Sequence, residues 1–365
     1  MGVSMDRLRV AYTLEQCWGR VPGGTAVAAL EVARELASMP GIELIGVSGT
    51  HAAPPPAAWN PPIPMCSMAG SGARLYAQWV YLARPTVERV TGPVDIAHST
   101  SLIPCPAKAP VVVTVHDLAF LHLPDAFTRW GRTLFNSSVR AIRRRADIVL
   151  CASTATMNDC EQAGIPADRL RLVPLGVRAV ELSTLETTVD AVRQLHALPE
   201  RFILFVGTIE PRKNLARLIA AMALLDDPLP LVVAGAPGWG EAVSPMDGVD
   251  MRFLGFVPPS QLQGLYAAAA VFCYPSLWEG FGLPVLEAMA SGTPVVTSAD
   301  ISTAEVAAGA AVLVDPRSST DIARGLTEAL GRTPELVVAG HIRAAAMTWT
   351  KTAALTVDAY RELAG

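Results

Sequence analysis

Short runs of four to six apolar residues, many of them β-branched, recur along the chain. Between them lie longer stretches whose apolar positions return every three or four residues, the helical period. Arg9–Leu14, Ile42–Val47, Ile96–Ser99, Val111–His116, Asp147–Ala152 and Leu170–Val173 read as a first series of strands. Helices are predicted from Thr25, as the capping residue, to about Met39, from Ala73 to Val90, and from Thr128 to Arg145. The proline-dense APPPAAWNPPIP (Ala53–Pro64) fits neither helix nor central strand and reads as a long surface loop, either a binding loop or an inert insertion. Residues 178–199 are polar and only weakly helical, and read as a linker.

A second series then begins. Strands are predicted at Phe202–Val206, Leu231–Ala234, Met251–Leu254, Val271–Tyr274, Val295–Thr297 and Ala311–Val314. Helices start at Leu215, at Ser260 and near Pro284, and Leu215, Leu218, Ile219, Met222 and Leu225 fall on one face. A last helix covers Trp349–Leu363. Apolar strands alternating with helices specify a parallel, doubly wound sheet, here twice over. The fold class is therefore α/β, with two Rossmann-like domains. The domains read as 1–177, a linker at 178–199, 200–347, and a terminal helix at 348–365. Ligands of such sheets bind at the loops following the strands, so two facing domains predict a cleft between carboxyl ends.

Composition narrows the picture. Hydrophobic residues make up 51% and charged residues 17%, the balance of a globular chain. No run approaches the length of a membrane span, and MGVSMDRLRVAYT lacks the apolar core of a secretory signal, so the reading is a cytosolic protein. The six cysteines form no C-x-x-C pair, which argues against a disulfide frame or a zinc site. Residues 1–176 hold 16 basic against 13 acidic side chains and residues 177–365 hold 13 against 20, which is no nucleic-acid binder's profile. Lysine occurs three times only, at Lys108, Lys213 and Lys351.

Candidate chemistry concentrates in PSLWEGFGLPVLEAMASG, Pro275 to Gly292. Glu279 and Glu287 stand eight positions apart, separated by a Gly-Phe-Gly turn and a proline suited to the first turn of a helix. Unpaired N–H groups at such a helix start bind anions or hydroxyls, so the stretch suggests a sugar phosphate or nucleotide sugar. Upstream, FVGTIEPRKNLARLIAAM puts Arg212 and Lys213 at a strand-to-helix turn, with Asn214 as the candidate N-cap. His116 ends a buried strand, and Asp117 beside it orients the turn.

GTIEPRKN together with PSLWEGFGLPVLEAMASGTPVV resembles the donor half of the retaining glycosyltransferases of family 4, which have the GT-B fold; Glu279 and Glu287 match that family's E-x7-E motif. The likeness extends to His116-Asp117 after VVVTV, to VPLGV, to GFV at Gly255–Val257 and to the terminal helix, which in this fold returns to the N-terminal domain. By position, the resemblance implies that Lys213 binds the donor diphosphate and stabilises the leaving group, with Arg212 as helper. The amides around Phe281, Gly282 and Leu283 would hold the diphosphate or sugar, Glu279 would face the transferred sugar, and Glu287 would accept hydrogen bonds from the ribose. Phe256 and Val257 fall on the nucleotide side. Gly23-Gly24 match a glycine pair near diphosphate and acceptor, and His116 contacts the sugar or its surroundings. Thr208 occupies a position where many relatives carry arginine, so phosphate binding leans on Arg212 and Lys213.

The implied reaction moves a hexose from a nucleoside diphosphate sugar to a hydroxyl acceptor (glycan, lipid-linked sugar or small metabolite) with retention at the anomeric carbon. No resident cofactor is implied, and the absence of an Asp-x-Asp motif argues against a metal. GDP-mannose is favoured, with UDP- and dTDP-sugars left open. A nucleotide-sugar epimerase, a phosphorylase or a degenerate scaffold subunit of the same fold are the competing readings; the glycine fingerprint of an NAD enzyme is missing. Arg129–Arg145 carries six arginines with Trp130 and Phe135, a pattern that either docks peripherally on the inner face of an anionic membrane or forms a solvated face.

Overall fold

A computed structural model describes residues 7–19, 22–180, 182–238 and 246–364, the side chains of 182–184 excepted. The N-terminal hexapeptide, and Arg20 and Val21 of the first loop, lie outside the described residues. The chain divides into two units, residues 1–175 with 349–365, and residues 176–348.

In the first unit the strands are β1 (Leu8–Thr13), β2 (Ile42–Gly49), β3 (Met65–Met68), β4 (Ile96–Ser99), β5 (Val111–Val115), β6 (Ile148–Cys151) and β7 (Leu170–Leu172). They form one parallel sheet of order β3-β2-β1-β4-β5-β6-β7. Its helices are α1 (Gly23–Ser38), α2 (Gly72–Ala77), α3 (Glu88–Thr91), α4 (Ala119–His122), α5 (Arg129–Arg145) and α6 (Thr154–Gln162). Strands covered on both faces read as continuous apolar runs, which is why β5, VVVTV, was plain in the sequence.

The second unit holds β8 (Ile203–Val206), β9 (Leu231–Ala234), β10 (Met251–Gly255), β11 (Val271–Tyr274), β12 (Val295–Ser298) and β13 (Val312–Val314), again parallel, in the order β10-β9-β8-β11-β12-β13. Its helices are α7 (Leu182–Leu195), α8 (Leu215–Met222), α9 (Pro259–Ala268), α10 (Leu283–Ala290), α11 (Ser302–Ala307), α12 (Ser319–Gly331) and α13 (Thr333–Ala346). Renumbered within each unit, the first sheet runs 3-2-1-4-5-6-7 and the second 3-2-1-4-5-6, the doubly wound order whose direction reverses between the first and fourth strands. The last helix, α14 (Trp349–Ala364), packs on α1 and β4 of the first unit.

Buried His98 pins that helix. Its ring bonds the Tyr360 hydroxyl at 2.6 Å on one side and Thr114 Oγ1 at 2.7 Å on the other. Burial, aided by neighbouring His116, pushes the His98 pKa down to about 3, so the imidazole is a neutral bridge at physiological pH.

Several local expectations need correction. α1 begins at Gly23, and Thr25, instead of capping it, donates from its hydroxyl to the Pro22 carbonyl at 3.3 Å. The single helix expected over Ala73–Val90 is broken. Ala83 adopts a left-handed conformation (φ 50°) and Pro85 follows, leaving α2 with a π-helical turn over Gln78–Leu82 and, separately, α3. Residues 178–199, read as a linker from their polarity, contain α7, which packs on α9 and buries Val192 within the second unit. The proline-rich segment tucks Trp59 and Ile63 into the protein while much of its remainder is exposed. α5 is capped by Thr128, whose hydroxyl accepts from Gly131 N at 3.1 Å. Its Phe135 turns inward against Phe120 and Phe127, whereas Trp130 is 57% exposed.

Candidate active site

In the second unit the direction of the strand order reverses between β8 and β11, which lie side by side. The loops leaving their carboxyl ends are therefore neighbours, and they carry the charged residues. After β8 the chain passes through Thr208 and Glu210 into a 3-10 turn, Pro211–Lys213. After β11 it passes through Pro275 to Glu279. Leu277 N donates to the Arg212 carbonyl at 2.8 Å and fastens the two loops together. Asn214 stands at the N-cap position of α8 in the left-handed region (φ 62°), yet its side chain does not cap. The amide nitrogen donates to the carbonyls of Pro275 (2.9 Å) and Pro316 (2.6 Å), clamping three loops at one point.

The clamp brings two cations and two carboxylates into contact. Lys213 Nζ lies 2.7 Å from Glu279 Oε1 and also donates to the Tyr274 hydroxyl. Arg212 Nη1 lies 3.0 Å from Glu279 Oε2 and donates to the Trp278 carbonyl at 2.9 Å, while Nη2 reaches Glu210 Oε1 at 2.6 Å. Glu279 is 7% exposed. Burial alone would raise its pKa, but the Arg212 and Lys213 cations outweigh that cost and hold it at about 2. Burial, with Arg212 adding repulsion, lowers the pKa of Lys213, and Glu279 and Glu210 offset part of the drop. The four side chains balance to zero net charge, the condition under which buried ions are tolerated.

The Gly-Phe-Gly turn delivers the chain into α10. Gly282 has φ 101°, and a Cβ there would come within 2.7 Å of Thr303 Cγ2, so both conformation and space require glycine. Phe281 and Leu283 are buried on either side of it. Ser302 Oγ donates to the Glu279 carbonyl at 2.6 Å and fixes the turn from α11. At the first turn of α10, Pro284 has no N–H and Val285 N donates to the Gly282 carbonyl at 2.9 Å, while the helix dipole adds positive potential at the same end. One turn on, Glu287 is half-buried, and its Oε2 accepts from the Tyr266 hydroxyl at 3.0 Å. Lys213, Arg212, Glu279, Gly282 and Thr208 thus gather at one strand-end region, with Glu287 farther along α10. Phe256, 57% exposed, and buried Val257 follow the edge strand β10, two strands away from β8.

His116, Gly23 and Gly24 belong to the first unit. His116 directly follows β5, its Nε2 is 3.1 Å from the Thr100 carbonyl, and burial lowers its pKa. Asp117 Oδ1 accepts from Ala119 N at 3.0 Å, the turn-orienting contact expected of it. Gly23 opens α1 with φ 64° and nothing within 4 Å of where a Cβ would lie. The loops after β1 and β4 also meet: Gln16 Nε2 donates to Thr100 Oγ1 at 2.6 Å. Beside them, buried Glu15 accepts from Gly49 N (2.6 Å) and Gly72 N (2.5 Å) and meets His51 Nε2 at 3.0 Å, with Trp18 stacked on the His51 ring.

Sequence reasoning missed Glu15, Gln16, Thr100, Glu210, Tyr266 and Tyr274. Glu210 carried a signal, an acid two residues before the basic pair. The tyrosines carried none, because a tyrosine in a buried strand or an amphipathic helix reads as core.

Comparisons with known proteins agree with this arrangement. The family model described as Glycosyltransferase Family 4 matches residues 22–180, and Glycosyl transferases group 1 matches residues 188–336. O-antigen chain mannosyltransferase B of Escherichia coli is 31% identical over 268 residues, 69% of this chain and 70% of that protein. Among solved structures, sucrose-phosphate synthase of Thermosynechococcus elongatus superposes with a TM-score of 0.78 at 20% identity, covering 98% of this chain and 99% of that one. Anabaena HepE in complex with UDP-glucose gives 0.72 at 18% identity, covering 98% and 100%. At those identities the two structures speak to the fold alone. The E-x7-E pair, the paired doubly wound sheets, both family models and the mannosyltransferase relative converge: this chain belongs to glycosyltransferase family 4 and is a glycosyltransferase of the GT-B fold.

Proposed function

We propose that this glycosyltransferase moves a hexose from a nucleoside diphosphate sugar to a hydroxyl acceptor with retention of anomeric configuration. The observation that carries the reading is the Lys213–Arg212–Glu279 cluster at the adjoining ends of β8 and β11, next to the N-terminus of α10. As the sugar–phosphate bond lengthens, negative charge grows on the departing diphosphate. Lys213, Arg212 and the backbone amides around Phe281, Gly282 and Leu283 are fixed in place before the reaction, so they stabilise that charge without reorganising. Two resident cations supply the phosphate compensation that a divalent ion provides elsewhere, and turnover is expected to persist in excess EDTA. Glu279, held ionised by the same cations, lies where a carboxylate can bind sugar hydroxyls, and half-exposed Glu287 is suited to a ribose diol. Phe256 and Val257 are assigned to the nucleotide side, and His116, Gly23 and Gly24 to the acceptor-side domain.

The mannosyltransferase relative supports GDP-mannose as the donor, while a neighbour crystallised with UDP-glucose keeps a uridine nucleotide in consideration. No helix among the described residues is long and apolar enough to cross a membrane. We place the chain in the cytoplasm, acting on a glycan, a lipid-linked sugar or a small metabolite. The basic face of α5 with exposed Trp130 is its candidate surface for peripheral membrane contact. Thermal-shift screening of GDP, UDP and dTDP tests class and base together. GDP is expected to give the largest stabilisation, and no shift with any of the three would overturn the donor-site reading.

A further inference from the structure

We infer that two buried tyrosines, Tyr274 and Tyr266, are positioning residues of the donor site, each holding one carboxylate of the Glu279/Glu287 pair in its working orientation. The inference rests on the donor-site reading above and divides its labour further. Tyr274 ends β11, is fully buried, and stands between the lysine and the first carboxylate. Its hydroxyl receives the Lys213 ammonium and donates to Glu279 Oε1 at 3.1 Å, and Lys213 Nζ lies 4.9 Å from the ring centroid. Tyr266, on α9, is equally buried and donates to Glu287 Oε2 at 3.0 Å.

The rings form one packed series. Phe205 tilts against Tyr274 (centroids 6.3 Å apart), Tyr274 stacks on Phe272 (5.6 Å), and Phe272 meets Tyr266 edge-on (5.3 Å). Phe272 and Tyr274 share a face of β11 because they are two residues apart. Core filling alone would be met by phenylalanine, as Phe205 and Phe272 demonstrate, without the cost of burying a hydroxyl. Both tyrosine hydroxyls are spent on a carboxylate that the donor site uses. The rigid ring series fixes the spacing of those carboxylates, the kind of support that keeps a site within its productive geometry.

The two hydroxyls therefore have separable effects. Tyr274→Phe removes one partner from each of Lys213 and Glu279, the groups beside the breaking bond. Its kcat is expected to fall about tenfold with the donor KM changed less than about twofold. The alkaline limb of its pH–rate profile moves to lower pH, since the ammonium has lost an acceptor. Tyr266→Phe loosens only Glu287, so the donor KM and the dissociation constant of the matching nucleoside diphosphate are expected to rise about fivefold at near-constant kcat. Calorimetric titration with that nucleoside diphosphate also reports whether each variant is folded. Wild-type kinetics in both variants, or a Tyr274→Phe loss with no displacement of the alkaline limb, would overturn the tyrosine assignment alone. A wild-type protein that binds no nucleoside diphosphate would overturn the site reading and the assignment with it.

Discussion

The two sheets reverse their strand order at equivalent places, and the loops that meet there could hardly differ more. The loops after β8 and β11 carry two cations and two carboxylates, which with Tyr274 at the end of β11 form one buried ionic knot. Between β1 and β4 the contacts are largely neutral: Gln16 to Thr100, and Thr100 to the carbonyl of Thr13. The acid nearby, Glu15, is held by two backbone amides and His51 and so shapes its loops. The shared reversal of strand order supplies a place for a ligand, and the residues on its loops decide what chemistry occurs there. Fixed charge suits a diphosphate, whose charge grows during reaction. Neutral donors and acceptors suit a hydroxyl acceptor, which must be oriented and has little charge to be stabilised.

That contrast can be broken at either end. Lys213→Ala is expected to have the largest effect, a fall of about a hundredfold or more in kcat, comparable to deleting one donor to a developing oxyanion. Steady-state turnover at saturating donor measures it, and wild-type rates would remove Lys213 from the leaving-group role. Glu15→Ala acts on the other end. It leaves the buried Gly49 N–H and the partly buried Gly72 N–H without their acceptor and should cost about 2 kcal/mol of stability, read by chemical denaturation, with nucleoside diphosphate affinity unchanged. A weakened nucleotide affinity there would show that the neutral site is not separate in function from the charged one.

The smallest expected effect is in pH. Lys213 titrates below the ordinary lysine range, so activity should decline on the alkaline side earlier than a free lysine would dictate. Glu279 behaves oppositely. Its folded-state pKa of about 2 lies below the usual 4.5, so its contribution to stability is complete above about pH 4.5 and is lost as pH falls toward 2. A pH–rate profile flat to pH 10 would contradict the placement of Lys213 in a desolvated cluster.

Much of this was legible beforehand, and the reasons are physical. Strands covered on both faces announce themselves as unbroken apolar runs, so β5, β9 and β11 could be read nearly to the residue. β3, MCSM, has no β-branched residue and passed unnoticed, as did α6, TATMNDCEQ, whose polar sequence hides a short helix capped by Ser153. The break at Ala83–Pro85 is hidden in the sequence because the apolar spacing on either side stays helical. In the site, Lys213, Arg212 and Glu279 are legible because they stand at turns leading into helix starts, where anions bind, and because the motifs around them match the family. Their mutual pairing was not visible, since Asn214 draws the loops together by bonding carbonyls 61 and 102 residues away.

The Arg212–Lys213 pair on the loop after β8 is assigned to hold the donor diphosphate. The most direct test of this central claim is the dissociation constant of the matching nucleoside diphosphate, measured by calorimetry for the wild-type protein and for Lys213→Ala. Loss of a charge-assisted contact should weaken binding by about tenfold or more. Equal affinities in the two proteins would contradict the claim.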